Sequence, residues 1–266
     1  MFIVQLSPHL AAVHASTLNF RNLVIATGHY PFPVKDNFVP LSDAAGTIEE
    51  VGPGVYGFEK GDFAIANFDP TNQFGPQKDW ENSLGGPIDG VCRPYVALPA
   101  SAIVKIPKST KLSWPQLAGL VCTGTTAWNV LYGNLPLKAG QTVLFQGTGG
   151  VSMTGLMLAK AAGAKTIITS SSDEKLKFAQ DLMKCVARGA QIAVIGFLAK
   201  VDQKDMPDVA ALVLDKGCIV RGINVGAKQL TEDMVQLVCS KDLGMPIDKT
   251  FKFELDDVKA AYKDWS

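Results

Sequence analysis

Residues 142–175, TVLFQGTGGVSMTGLMLAKAAGAKTIITSSSDEK, read in order as a strand, a glycine-rich turn, a helix and a second strand. That order constrains the chain more than any other feature, because parallel strands can be joined only by a long crossover. Val143, Leu144 and Phe145 form the short apolar run of a strand buried on both faces. Gly147, Gly149 and Gly150, with Thr148 between them, allow a tight turn and a close backbone approach to a pyrophosphate. The helix expected over 152–162, entered through Val151 and Ser152, points its unpaired N–H groups and positive dipole end at that anion. Gly163 stops the helix, and Thr166 to Thr169 supply the next strand. Ser152 stands where the last glycine of a G-x-G-x-x-G string would be. The spacing is that of a dinucleotide-binding unit; the plainer alternative is an ordinary βαβ unit with a glycine-rich turn.

The end of the second strand narrows the cofactor. An NAD site usually carries an acidic residue there for the ribose 2′-hydroxyl. Here stand Ser170, Ser171 and Ser172, with Lys175 shortly after. Hydroxyl donors and a cation suit a 2′-phosphate, so NADP(H) is expected over NAD(H). Asp173 argues the other way, but it sits where a helix N-cap belongs, ahead of EKLKFAQDL.

Composition excludes several rivals. Lysine plus arginine and aspartate plus glutamate both total 25 over 266 residues, so no net field draws the chain to nucleic acid or an anionic membrane. No apolar run reaches the length of a membrane span, and Phe2 to Val13 lacks the charged front of a signal peptide. The cytoplasm is the expected compartment. The five cysteines are scattered singly with no C-x-x-C pair, against both a disulfide framework and structural zinc.

The chain changes character near residue 112. Before it, apolar runs such as Phe63 to Ala66 and Tyr95 to Leu98 alternate with turn signals at Gly52-Pro53-Gly54, Lys60-Gly61-Asp62 and Gly85-Gly86-Pro87. This reads as a compact β-domain. After it, helices are expected from Trp114 to Leu120 and Thr125 to Leu131, then strands at Gln191 to Phe197 and Ile219 to Val225, with a helix over 207–215 between them.

Several motifs in this order carry a resemblance. Gly46, Val51-Gly52, Gly54-Val55 and Lys60-Gly61-Asp62 are followed by Thr126-Ala127-Trp128 and GTGGVS. Together they resemble the medium-chain dehydrogenase/reductase superfamily. Leu18 to Asn22 (LNFRN), Pro40 to Gly46 (PLSDAAG) and Thr169 to Lys175 (TSSSDEK) are similar to its zinc-independent, NADP-linked branch of alcohol-dehydrogenase-like and quinone-oxidoreductase-like proteins. The resemblance implies an α/β protein: a GroES-like β-domain over 1–112, a Rossmann-type parallel-sheet domain over 113–240 and a return segment over 241–266. It also implies a small-molecule substrate and homodimers through the Rossmann sheet edge.

By motif position, the catalytic zinc ligands of zinc-dependent relatives would fall at Asn19, Ser42 and Cys122. Only Cys122 is a type that zinc favours, so no metal is expected. The cysteine-rich loop that holds structural zinc in some relatives has no counterpart in Phe68 to Val91, and His9, His14 and His29 read as surface or packing residues. Without zinc, the substrate oxygen must be polarised by hydrogen-bond donors. The motifs place Asn19, Arg21 and Ser42 as candidates, with Asp43 orienting one of them or relaying a proton. Alternatively, Asp43 and Arg21 form a structural pair inside the β-domain. Thr126 resembles the threonine beside the nicotinamide, and Gly196-Phe197-Leu198 and Val225-Gly226 resemble segments that pass the same half of the cofactor.

The chain departs from that pattern in one respect. After the helix expected over 174–182, the sequence passes near Leu182-Met183 to what resembles the approach to strand five. Two strands and their connections, roughly 50–60 residues at ~30 per βαβ unit, are missing. Strand five is then expected either to move over and pair with strand one, or to leave the region disordered. The opening strands of the β-domain look missing or replaced by MFIVQLSPHLAA, and the closing strand expected after the helix starting at Asp256 is not there. Two classes of function follow: an NADP(H)-dependent oxidoreductase acting on a carbonyl, enone, quinone or alcohol, and a nucleotide-binding or structural relative without catalysis.

Overall fold

The computed structural model describes residues 9–169, 186–196 and 208–264. Ser170, Ser171, Ser172, Lys175, Phe197, Leu198 and the helix expected over 174–182 lie outside them. In chain order the first elements are β1 (His9–Thr17), α1 (Phe20–Ala26), β2 (Asp43–Glu50), β3 (Phe63–Ala66), β4 (Tyr95–Leu98) and β5 (Ile103–Ile106). Next come α2 (Trp114–Ala118), a π-type turn at Leu120–Gly124 and α3 (Thr125–Tyr132). The later elements are β6 (Thr142–Gln146), α4 (Gly150–Ala161), β7 (Lys165–Thr169), β8 (Gln191–Ile195), α5 (Val209–Lys216), β9 (Ile219–Ile223), α6 (Lys228–Ser240) and α7 (Leu255–Asp264). Two compact units result, residues 1–128 with 225–266, and residues 129–224.

The first unit holds an antiparallel sheet in the order β4-β1-β2-β3-β5. Its inner face and covering loops bury Ile48, Ile65, Leu84, Val91, Val104 and Ile106. Within the stretch where the opening strands look missing or replaced, one strand is present: β1 starts at His9 and pairs with both β2 and β4. Its alanines lack the branched and aromatic side chains that usually announce a strand. Register shifts between Val13 and Ala15, leaving His14 as the extra residue of a bulge. The His14 ring lies 4.7 Å from that of Trp114, and its Nε2 is 3.0 Å from the Thr47 hydroxyl. Gly46 faces this bulge, and a Cβ there would collide with the Ala12 carbonyl oxygen.

The Lys60-Gly61-Asp62 turn is fastened by Asp62, whose buried carboxylate accepts from the Glu59 N–H at 3.0 Å and meets Lys105 at 2.6 Å and Lys108 at 3.3 Å. Burial pushes this carboxyl up, but the bonds from Lys105, the Glu59 N–H and Lys108 outweigh it and hold it below the usual value. Asp62→Asn is expected to cost about 1–3 kcal/mol in urea unfolding at neutral pH. A carboxyl depressed in the folded state contributes above its unfolded value and loses that contribution as pH falls, so the deficit should shrink below about pH 3.8. Equal urea midpoints for the two proteins at neutral pH would refute this role.

Where some relatives carry a cysteine-rich loop, the stretch after β3 is closed by buried polar side chains. Asp69 accepts from the Thr71 N–H at 2.9 Å, the Thr71 hydroxyl at 2.7 Å and Gln77 at 3.1 Å, while Asn67 donates to the carbonyls of Asp69 and Asn72. The helix α6, not anticipated from the sequence, packs Thr231, Met234, Val235 and Val238 inward. Gly124 lets it approach, since a Cβ there would lie 2.9 Å from the Met234 sulfur. The Thr125 and Thr231 hydroxyls pair at 2.8 Å in the same contact.

Among its described residues the second unit has two parallel pairs, β6 with β7 and β8 with β9, which share no ladder hydrogen bonds. The expectation that strand five would move over to strand one is therefore corrected: β8 pairs with β9 instead. Strands of a complete doubly wound sheet are covered on both faces. Here Leu144, Ile167, Val194 and Ile219 remain 39–51% exposed. Arg221 on β9 donates to the Asn129 carbonyl at 3.1 Å and its side-chain oxygen at 2.7 Å, and Gln191 on β8 donates to the Val130 carbonyl at 3.1 Å. These bonds tie the second pair to the end of α3.

Candidate active site

In the second unit the glycine turn has the conformation its sequence suggests. Gly147 sits at φ 74°, a region L side chains rarely adopt, and its N–H reaches the Thr169 carbonyl at 2.9 Å. Gly149 caps α4, but no side chain accepts from the helix's first turn, and that turn contains no acidic residue. The first intrahelical bond is from the Met153 N–H to the Gly149 carbonyl, which leaves the N–H groups of Gly150, Val151 and Ser152 for another acceptor. A Cβ added at Gly147 or Gly149 would meet nothing within 4 Å, so there is room beside the turn. These features fit an anion such as a pyrophosphate.

Ser152 turns its hydroxyl back to the Gln146 carbonyl at 2.8 Å, closing the end of β6. The close helix–strand contact comes one turn later, at Gly155, where a Cβ would lie 2.5 Å from the Phe145 ring. The sequence signal was a glycine inside a helix, a position that costs about 1 kcal/mol relative to alanine without a packing reason. Gly155→Ala is expected to displace the Phe145 ring and destabilise by about 1–3 kcal/mol. Thermal unfolding would measure it, and an unchanged midpoint would disprove the contact's importance.

In the first unit Asn19, Ser42 and Asp43 come together at the junction of β1, α1 and β2. The Asp43 carboxylate accepts from Ser42 Oγ at 2.6 Å on one oxygen. On the other it accepts from Thr17 Oγ1 at 2.9 Å, Asn19 Nδ2 at 3.0 Å and the Cys122 N–H at 3.1 Å. Thr123 Oγ1 donates to Asn19 Oδ1 at 3.2 Å from the other side. Ser42 and Asp43 are fully buried, whereas Asn19 keeps 9% of its surface exposed. Burial pushes the Asp43 carboxyl up, opposed by the bonds from Ser42, Asn19, the Cys122 N–H and Thr17.

The turn before Ser42 is strained. Leu41 lies at φ 67°, an unusual value for a bulky residue. Its carbonyl accepts from the Val91 N–H at 3.0 Å and is pressed by Gly85 and Gly90, at either of which a Cβ would collide with it. Gly85, in the turn read from the sequence, and Gly90, which carried no such signal, together over-determine the backbone that delivers Ser42 and Asp43. Strain held this way clusters at functional sites.

Arg21 takes no part in that network. It donates to the Leu84 carbonyl at 2.8 Å, and its guanidinium lies 4.8 Å from the Phe68 ring centroid and 5.4 Å from that of Tyr30. The alternative of an Arg21–Asp43 structural pair is corrected by these contacts. Thr126, Val225 and Gly226 belong to the first unit, and Gly196 with the Gly147–Ser152 turn to the second. Thr126 bonds to the Cys122 side chain. Val225, one of the predicted positions, lies at φ 46°, a strained value for a non-glycine residue.

The donor set does not suit zinc. Asn19, Ser42 and Cys122 converge, but on the Asp43 carboxylate, and Cys122 does so through its backbone. A zinc ligand must be a thiolate, neutral imidazole or carboxylate. Burial pushes the Cys122 thiol well up, and the Asp43 charge pushes it further, outweighing Arg21 and Thr126. Among the described residues no three His, Cys, Asp or Glu side chains group as ligands. No helix among them is long and apolar enough to cross a membrane.

Residues 9–108 match the family model of the alcohol dehydrogenase GroES-like domain. A zinc-type alcohol dehydrogenase-like protein of Schizosaccharomyces pombe is 36% identical over 97% of this chain and 87% of its own length. That alignment runs over 305 positions against a chain of 266, so the relative carries stretches with no counterpart here. The acryloyl-coenzyme A reductase of Sulfurisphaera tokodaii is 29% identical over 76% of this chain and 60% of its own. Among solved structures, a protein of Sinorhizobium meliloti 1021 provisionally assigned as an alcohol dehydrogenase superposes with a TM-score of 0.79 at 31% identity, covering 99% of this chain and 90% of that one.

Proposed function

The chain belongs to the medium-chain dehydrogenase/reductase superfamily, among its alcohol-dehydrogenase-like members, and we propose that it transfers a hydride between NADP(H) and a small carbonyl, enone, quinone or alcohol without zinc. The observation that carries the reading is the uncapped start of α4 behind an open glycine turn, a place for a dinucleotide's pyrophosphate. Gly147, Thr148, Gly149, Gly150, Val151 and Ser152 would hold that group, and Ser170, Ser171, Ser172 and Lys175 its 2′-phosphate. The bound nicotinamide supplies the hydride chemistry. The chain's own part is to bind and orient it, beside Thr126, Gly196, Phe197, Leu198, Val225 and Gly226, and to polarise the substrate oxygen. Asn19, Arg21 and Ser42 are the candidate donors for that task, with Asp43 placed to orient Asn19 or Ser42. The amide of Asn19 and the hydroxyl of Ser42, neither a group that zinc favours, support a site working without a metal.

A second reading has its own support. The two separate parallel pairs, with exposed aliphatic faces, favour a relative that binds nucleotide without turning over a substrate. A ligand that binds only the folded state stabilises it by about 2.7 kcal/mol at a hundredfold excess over Kd. Thermal unfolding is therefore expected to shift clearly upward with NADPH and less with NADH. Absence of any shift would sink both readings. A shift without NADPH oxidation across a panel of quinones and enones would select the second.

A further inference from the structure

We propose that Asp43 assigns the oxygen-polarising role to Asn19, holding its side-chain amide in one orientation so that the second N–H of that amide serves the substrate oxygen, and withdrawing Ser42 from the role. This deepens the oxidoreductase reading and rests on it for the identity of the acceptor. The two ends of an asparagine amide are alike in shape, so electrostatics must decide which end faces where. Asp43 accepts from two hydroxyls and from two groups that can only donate, the Asn19 amide nitrogen and the Cys122 N–H, an arrangement that suits a carboxylate. Only the nitrogen end of Asn19 can face it at 3.0 Å, and Thr123 fixes the oxygen end by donating to it at 3.2 Å. A flipped amide would set its oxygen against the carboxylate and its nitrogen against the Thr123 hydroxyl.

An amide nitrogen carries two hydrogens. One goes to Asp43, and the other has no protein acceptor among the described residues. Ser42 has a single hydroxyl proton, committed at 2.6 Å to the same carboxylate in a residue with no exposed surface. Of Asn19, Ser42 and Asp43, only Asn19 reaches the surface at all. Asp43 is thus a positioning residue and Asn19 the group that touches the substrate.

The experiment compares wild type, Asn19→Ala, Asp43→Asn and the double variant, using NADPH and whichever quinone or enone the wild type reduces. Removing one such donor typically lowers kcat by about 100-fold. Asn19→Ala should do so with KM for NADPH unchanged, and Asp43→Asn should lower kcat by at least about tenfold. If Asp43 acts through Asn19, the double variant should be no slower than Asn19→Ala alone. Losses that multiply would overturn the proposal. A second readout does not depend on turnover or on the variant at 43 folding. In asparagine-¹⁵N-labelled wild type, the Asn19 amide pair, identified by its absence from Asn19→Ala, should show one proton shifted downfield and protected from exchange. Two equivalent, rapidly exchanging protons would overturn the proposal even in an inactive chain. No turnover with a protected proton would reject the oxidoreductase reading and leave the positioning role of Asp43 standing.

Discussion

Gly46→Ala is expected to destabilise the first unit by about 3 kcal/mol or more, at or beyond the upper end for overpacked positions. That is a large share of the roughly 5–15 kcal/mol that holds a typical domain together. The added methyl would strike the Ala12 carbonyl oxygen, which belongs to the backbone of the adjoining strand and cannot rotate away as a side chain can. Relief would require β1 to move off β2 beside the His14 bulge, breaking the ladder there. Urea unfolding followed by tryptophan fluorescence would read it, since Trp114 packs on His14 and Phe63 next to the bulge. Gly54→Ala is the control. Gly54 has φ 77° but open space around it, so only conformational strain is added, about 1 kcal/mol. Equal losses at the two positions would show that the bulge tolerates a side chain.

Asp43→Leu is the second large effect. It removes the acceptor shared by Thr17, Asn19, Ser42 and the Cys122 N–H in one step. The hydroxyls can turn elsewhere, but the backbone N–H cannot, and each buried group left unsatisfied costs about 1–3 kcal/mol. A total of about 3–5 kcal/mol is expected in urea unfolding, with Asp43→Asn losing less because one oxygen remains. A loss under about 1 kcal/mol would mean that the cluster contributes little. The pH dependence has the opposite sign to that of Asp62. Burial raises the folded-state value of Asp43 above 3.8, so its protonation contributes stability that is complete below that value and lost as pH rises through the folded one. The advantage of wild type over Asp43→Asn should therefore narrow as pH rises above 3.8. An advantage that widened over that range would contradict the raised carboxyl.

The βαβ unit was legible because its signals are local: apolar run, glycine turn, helix and strand follow one another within one stretch. The helix α6 was equally legible in principle, since Thr231, Met234, Val235 and Val238 recur with helical spacing, but its low overall hydrophobicity concealed it. The strand β1 was not, because alanines give it little strand signature and its stability comes from two neighbours it meets in the fold. At the candidate site, the sequence pointed to Asn19, Ser42 and Asp43 but could not say which contacts which. Cys122 and Thr123 arrive from far along the chain, and Arg21, two residues from Asn19, turns away to Leu84. Nor could the turn signal at Gly85 reveal that it leaves room, with Gly90, for the Leu41 carbonyl.

The two parallel strand pairs of the second unit bear on how long the protein lasts in a cell. A pair of strands needs something packed on it to be stable, and although α4 covers part of the first pair, the aliphatic faces left exposed make this unit's stability sensitive to whatever seats against it. Proteases act on the population that opens, and that population falls in proportion to the free concentration of a ligand that binds the closed form. With a nucleotide in the glycine turn the chain would persist, and without one it would be cleared. Its abundance would then follow the cell's supply of reducing cofactor, through survival of the polypeptide and independently of the rate at which it is synthesised.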